Sequence, residues 1–157
     1  MRYFEDLKAG DKFNTAEYEM TEAEIIAFGR KFDPQPFHVD PAAAGGTLFG
    51  RLVASGWHTA AVSMRLMVLG EMDLDGGVIG QGMESLRWPR PVRPGDRLRV
   101  VTEILELRDA PARPERGLIK LRCRTYNQDG KVVQEMTATL LVARRPSAAG
   151  AAKDRPE

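Results

Sequence analysis

GWHTAAVSMRLMVL, Gly56 to Leu69, is the stretch that decides the fold, because it has the length of a helix and is apolar on nearly every side. One stripe of the predicted helix holds Trp57, Ala60, Ala61, Met64 and Val68, and off it lie Val62, Leu66 and Leu69. A helix that is apolar nearly all round is buried, and this one is too short to cross a membrane. We therefore predict a helix that lies inside the domain or between two copies of it. Ser55 is its predicted N-cap.

Four strand-like segments follow this helix. They read VIGQGMESLRW, DRLRVVTEILEL, LIKLRCRTYN and KVVQEMTATLLVA, and the turn-forming sequences PVRPG, DAPARPERG and QDG separate them. In the third segment Ile119, Leu121 and Cys123 alternate with Lys120, Arg122 and Arg124. One buried face and one wet face are typical of an antiparallel sheet.

The segment before the long helix predicts one strand and one amphipathic helix. KFNTAEYEM alternates, with Ala16, Tyr18 and Met20 on one face. In MTEAEIIAFGRKF, Thr21 and Glu24 have the spacing of a capping box, and Ile25, Phe28, Gly29 and Phe32 recur at helical intervals. We predict an α+β domain over residues 1–145, in which an antiparallel sheet wraps a long buried central helix, and a disordered tail over residues 146–157.

Composition excludes several classes of protein. The 23 basic and 22 acidic residues nearly cancel, which argues against nucleic acid as a partner. A single cysteine, Cys123, suits a reducing compartment. Neither a signal peptide nor a membrane span is recognisable. We expect a soluble cytoplasmic protein with no membrane partner.

The segment FDPQPFHVD, Phe32 to Asp40, holds one of the two histidines beside two acidic residues. Asp33 and His38 could share a water molecule, as a general base and a general acid with pKa values near neutrality. The alternative is structural: Asp33 would cap a turn that starts at Pro34, as Asp40 would cap a turn at Pro41. His58 is expected to be a core histidine. A metal site is not expected, because the segment offers too few suitable ligands.

Gly56 gives the start of the long helix a possible function. Free N–H groups and the helix dipole at this end favour negative charge, so the Gly56 amide could hold a thioester oxygen as it becomes an enolate. The alternative is a plain capped helix in which Gly56 only avoids a clash.

These two segments resemble the MaoC-like dehydratases, also called (R)-specific enoyl-CoA hydratases. The family motif is Asp, any residue, Asn, Pro, an apolar residue, His, and it stands here as Asp33-Pro34-Gln35-Pro36-Phe37-His38. The small-residue helix start of the family is matched by ASGWHTAAV, Ala54 to Val62. The resemblance covers roughly residues 3–143. Gln35 departs from the motif, since the family has Asn there, and its longer amide leaves its role at the site open.

The resemblance implies a hot dog fold and addition of water to a trans-2-enoyl-CoA, or its removal from a 3-hydroxyacyl-CoA, in fatty acid metabolism. It implies that Asp33 and His38 hold the water, that the Gly56 amide is the oxyanion hole, and that no metal or redox cofactor is needed. It also implies a homodimer, or a larger oligomer built from dimers. Substrate contacts are expected from Gln35, Ser55, Trp57, Arg87, Arg90 and Arg93, of which the arginines in RWPRPVRPGD would meet the phosphates of coenzyme A.

Two other functions remain open from the sequence. An acyl-CoA thioesterase of hot dog type also needs a carboxylate and an oxyanion donor, but the pairing of Asp33 with His38 favours hydration. A non-catalytic acyl-CoA-binding subunit could carry the same residues unused. Retention of Asp33, His38 and Gly56 together weighs against it.

Overall fold

The structure, a computed structural model, describes residues 1–146. After a short 3-10 turn at Phe4–Asp6, the elements in chain order are β1 (Lys12–Asn14), β2 (Tyr18–Glu19), α1 (Glu22–Phe32), α2 (Pro36–Val39), α3 (Pro41–Ala44), α4 (Gly56–Leu69), β3 (Ile79–Arg87), β4 (Arg97–Asp109), β5 (Arg116–Tyr126) and β6 (Val132–Ala143). Of the predicted tail, residues 147–157 lie outside the described part of the chain.

The strands form one antiparallel sheet in the order β1-β4-β5-β6-β3, and β2 also pairs with β4. The inner face of β5 packs on α4, where Ser63 Oγ lies 2.7 Å from Thr125 Oγ1 and Cys123 Sγ lies 3.4 Å from Met67 Sδ. Strand β5 alternates between buried and half-buried residues along its whole length, so the predicted α+β arrangement of a sheet around one helix is confirmed.

Helix α4 runs from Gly56 to Leu69 as predicted, and Ser55 caps it by accepting a hydrogen bond from Trp57 N. The predicted burial of α4 is found on only one face of the helix in the single chain. Val62, Ser63 and Leu66 face the sheet, whereas Trp57 is 60% and Val68 49% exposed. The exposed residues belong to the predicted apolar stripe, which the single chain leaves uncovered.

Three predictions for the N-terminal segment were wrong in detail. The single strand predicted there is broken into β1 and β2, and Ala16 is exposed in the break. Thr21 caps α1 by accepting from Glu24 N, but the Glu24 carboxylate accepts from the Tyr18 hydroxyl instead of completing a capping box. Phe32, expected on the buried face of α1, is exposed at its end. Pairing with β4 explains the break, because β1 and β2 contact different parts of that strand.

Among residues 1–146, no helix combines the length and the apolarity that a membrane span requires.

Candidate active site

The end of α1 places Asp33 and His38 next to each other. Asp33 is the C-cap residue of α1, with its N–H bonded to Gly29 O at 2.9 Å. Gly29 allows α2 to cross close by, since a Cβ at this position would come 2.8 Å from His38 O. The close crossing of α1 and α2 turns the chain back, which brings His38 to the same site as Asp33.

The structural alternative for Asp33 was wrong. The N-cap of α2 is Gln35, and Pro36 rather than Pro34 is its first residue. Asp40 does act as a cap, since its carboxylate accepts from Ala42 N and Ala43 N. The side chain of Asp33 is therefore not used as a helix cap.

Asp33 and His38 form a close carboxylate–imidazole pair. Asp33 Oδ2 lies 3.2 Å from His38 Nε2, and His38 Nδ1 lies 2.7 Å from Val53 O. Gln35 Nε2 donates to Asp33 Oδ1 at 2.7 Å. His38 is buried and Asp33 is partly buried. The contacts at Val53 and Gln35 fix the orientation of both members of the pair.

The Asp33 carboxyl is held in its ionised form. Burial alone would raise its pKa, but hydrogen bonds from Gln35 and Ser55 and the charge of His38 together bring the pKa below its usual value. The site thus contains a carboxylate base at neutral pH.

Gly56 is the first residue of α4, so its N–H has no carbonyl one turn earlier to bond. The next amide, Trp57 N, is already capped by Ser55 Oγ at 3.2 Å. The indole of Trp88 lies against Gly56, and a Cβ there would come 2.6 Å from it. Gly56 therefore avoids a clash with Trp88 and also presents an amide with no helical partner. The two interpretations of Gly56 from the sequence, a residue that avoids a clash and a possible oxyanion donor, are thus compatible.

One cleft of about 460 Å³ joins these groups. Its lining includes Asp33, His38 and Gly56 together with the predicted substrate contacts Gln35, Trp57 and Arg90. Ser55 is buried and does not line the cleft, and its effect on Asp33 is to lower the pKa of that carboxyl. Arg87 and Arg93 do not line the cleft; Arg87 borders a neighbouring groove that Arg90 shares.

Phe49, Thr59 and Trp88 are among the cleft residues that sequence reasoning missed. Trp88 had a signal, since it is one of two tryptophans and lies inside RWPRPVRPGD, where only the arginines were considered. Thr59 shares the face of α4 that begins at Gly56. Phe49 follows a glycine-rich segment and carries no comparable signal.

His58 is a core histidine, as expected. It is buried, and its ring stacks on Phe28 with the ring centroids 4.7 Å apart. Burial lowers the pKa of His58, against the opposing charge of Glu24. The ring is therefore neutral in the folded protein and faces α1 rather than the cleft.

Comparisons with known proteins agree with this fold. The family model described as MaoC like domain matches residues 6–116. The crystal structure of the MaoC-like dehydratase from Rhodospirillum rubrum superposes with a TM-score of 0.90 at 48% identity, covering 94% of this chain and 100% of that one. The (R)-specific enoyl-CoA hydratase of Rhodospirillum rubrum is 32% identical over 92% of this chain and 94% of its own length. The 3-hydroxybutyryl-CoA dehydratase of Methylorubrum extorquens is 31% identical over 93% and 87%.

Proposed function

The chain belongs to the MaoC-like dehydratase family and has its hot dog fold, and we propose that it adds water to a trans-2-enoyl-CoA, or removes it from a 3-hydroxyacyl-CoA, with Asp33 and His38 as the acid–base pair. Hydratase or dehydratase chemistry, and with it the hydro-lyase class, is established at the level of the family. The observation that carries the finer proposal is that the Asp33–His38 pair and the free Gly56 amide line one cleft.

The contacts of His38 suggest the roles of the pair. The carbonyl of Val53 lies 2.7 Å from Nδ1, and the carboxylate of Asp33 lies 3.2 Å from Nε2. In the proposed scheme the Asp33 carboxylate is the base and His38 Nε2–H is the acid.

Hydration follows from this pair. Asp33 takes a proton from a bound water as the water oxygen attacks the β-carbon of the thioester. His38 Nε2–H protonates the α-carbon, and the Gly56 amide stabilises the thioester oxygen while it carries the enolate charge. The proton on Asp33 then returns to His38 across their 3.2 Å contact, which regenerates the pair. Since the two groups are adjacent, we expect syn addition. All groups in this scheme come from the chain, so the proposal includes no metal or redox cofactor.

Asp33→Asn tests the proposal, because it keeps the shape of the side chain and removes the base. We expect a loss of at least about a hundredfold in kcat, the lower range for a general base. The matched control is Asp40→Asn, which retains capping ability and should keep near wild-type turnover. Mass spectrometry of enoyl-CoA and 3-hydroxyacyl-CoA thioesters would follow the gain or loss of one water. Release of free coenzyme A would indicate the thioesterase instead, and an Asp33→Asn variant with wild-type rates would refute the assigned role.

We also propose that two copies associate through α4 and β3. Strand β3 ends the strand order and pairs with β6 alone among the described strands. Met83 of β3 is exposed, and so is Met64 of α4. A second copy would cover the apolar surface and extend the sheet. Light scattering should give a dimer mass for wild type and for Thr139→Glu on the outer face of β6, and a monomer mass for Met64→Glu combined with Met83→Glu. A monomeric wild type would contradict this.

A further inference from the structure

We propose that Trp88 and Gln134 form the end wall of the acyl pocket and restrict this protein to short acyl chains. This inference rests on the proposed function. It concerns which thioesters fit, and it assigns a specificity-determining role to two residues that take no part in the acid–base chemistry.

Trp88 has a fixed position beside the oxyanion hole. Its Nε1 donates to Gln134 Oε1 at 2.9 Å, and its ring lies against the Gly56 backbone. The ring of Trp57 packs on it edge to face, at a centroid distance of 5.3 Å. Contacts on these three sides hold the indole as one wall of the cleft.

Gln134 is an unusual residue for its place in the sheet. It lies on β6, it is 1% exposed, and its neighbours on that strand's inner face include Val133 and Met136. A buried amide in an apolar strand is costly unless it is hydrogen-bonded. Its described side-chain partner is the indole of Trp88, so the two residues depend on each other for position.

A second, much smaller cavity of about 20 Å³ is lined by Gln134 but not by Trp88. Its other lining residues are Ala60, Ser63, Met64 and Met67 of α4, Cys123 of β5 and Met136 of β6. Thr59 lines the cleft, and Ser63, one helical turn later, donates to Thr59 O at 2.8 Å. The cleft and the small cavity therefore adjoin successive turns of α4. Trp88 lines the cleft and Gln134 lines the small cavity, so the hydrogen bond between them lies between the two.

The position of this boundary sets the length of the acyl chain. A thioester whose oxygen meets the Gly56 amide extends its chain from the start of α4, beside the Trp88 ring. The flexible side chains of Met67 and Met136 could repack around a longer chain, but the pair closes the way to them. Each methylene that a pocket cannot hold lowers kcat/KM by about tenfold or more.

The test compares kcat/KM for trans-2-enoyl-CoA thioesters of four, six, eight and ten carbons. We expect wild type to favour the four-carbon over the eight-carbon substrate by at least about tenfold. Trp88→Ala should reduce that ratio at least tenfold, mainly through a gain on the longer chain. Gln134→Leu keeps the side-chain size and removes the acceptor, so it should shift the ratio in the same direction but less. Thr139→Ala, on the outer face of the same strand, should leave the ratio unchanged.

The outcomes separate the two proposals. A wild-type protein inert on every chain length removes the proposed function and this inference with it. An active wild type that prefers eight or ten carbons overturns the inference alone, as do two folded variants with the wild-type ratio. If Trp88→Ala does not fold, Gln134→Leu and Trp88→Phe decide the matter by the same ratio.

Discussion

Gly56→Ala should destabilise the protein through Trp88, and the coupling between the two residues can be measured. A Cβ on Gly56 would lie 2.6, 2.7 and 2.9 Å from three carbons of the Trp88 indole. An ordinary carbon contact needs about 3.5 Å, so the ring must move by roughly 0.9 Å. Its hydrogen bond to Gln134 and its contact with Trp57 resist that movement.

The magnitude follows from two opposing effects. Overpacking of this kind costs about 1–3 kcal/mol. Alanine gains at most about 1 kcal/mol over glycine in a helix, and less at the first position. We expect a net loss of about 0.5–2 kcal/mol in the wild-type background. With Trp88→Ala the clash is absent, so the same substitution should be neutral or stabilising. The coupling energy is therefore about 1–3 kcal/mol.

A double-mutant cycle measures this coupling. Urea unfolding of wild type, the two single variants and the double variant is compared at one protein concentration, because association would make stability concentration-dependent. Gly45→Ala is the matched control: Gly45 has helical backbone angles, and a Cβ there meets nothing closer than 3.5 Å. It should cost little or nothing. A coupling below about 0.5 kcal/mol would refute the contact between Gly56 and Trp88 as the reason for the glycine.

Three further predictions concern the site and its support. Gln35→Leu removes a hydrogen bond that lowers the pKa of Asp33 against the effect of burial, so the acid limb of the profile of kcat/KM against pH should move to higher pH. Gln35→Asn should keep more of the wild-type profile. An acid limb that does not move in Gln35→Leu would contradict this. Arg90→Ala should raise KM for coenzyme A thioesters by about fivefold, which corresponds to about 1 kcal/mol. It should not change KM for N-acetylcysteamine thioesters, which lack the phosphates. An equal effect on both kinds of thioester would show that Arg90 does not contact the phosphates. Burial lowers the pKa of His58 from 6.5, so below pH 6.5 the unfolded state binds more protons than the folded state, and the protein loses stability as the pH falls. His58→Phe, which can still stack on Phe28, should lose less stability than wild type between pH 7 and pH 5 in urea titrations. An equal loss in the variant would exclude His58 as its source.

The pairing of Asp33 with His38 was within reach of sequence reasoning because the two residues are five positions apart in one motif. What the spacing left open was whether the Asp33 side chain caps a helical turn. The structure excludes the cap, since Gln35 takes the cap position of α2 and Asp40 caps α3. The Asp33 side chain turns instead toward His38 and the cleft.

The arginines show the opposite case. The three arginines predicted to contact the substrate lie within seven positions of one another, at Arg87, Arg90 and Arg93. Of these three, Arg90 alone lines the cleft. The direction of each side chain is set by the end of β3 and by the turn that follows it, and a charge pattern carries no information about that direction.

The sequence by itself determined the central helix from Gly56 to Leu69, the four long strands and the motif from Asp33 to His38. These features are local: a repeat of 3.6 or of two residues, and a cap at a helix start, are written in neighbouring positions. Tertiary structure alone decided which face of α4 the sheet covers, that Trp88 meets Gln134 across 46 positions, and that a glycine is needed where the indole lies. Hydrophobicity specifies which side chains avoid water, but their partners are chosen by strand pairing and close packing between distant segments.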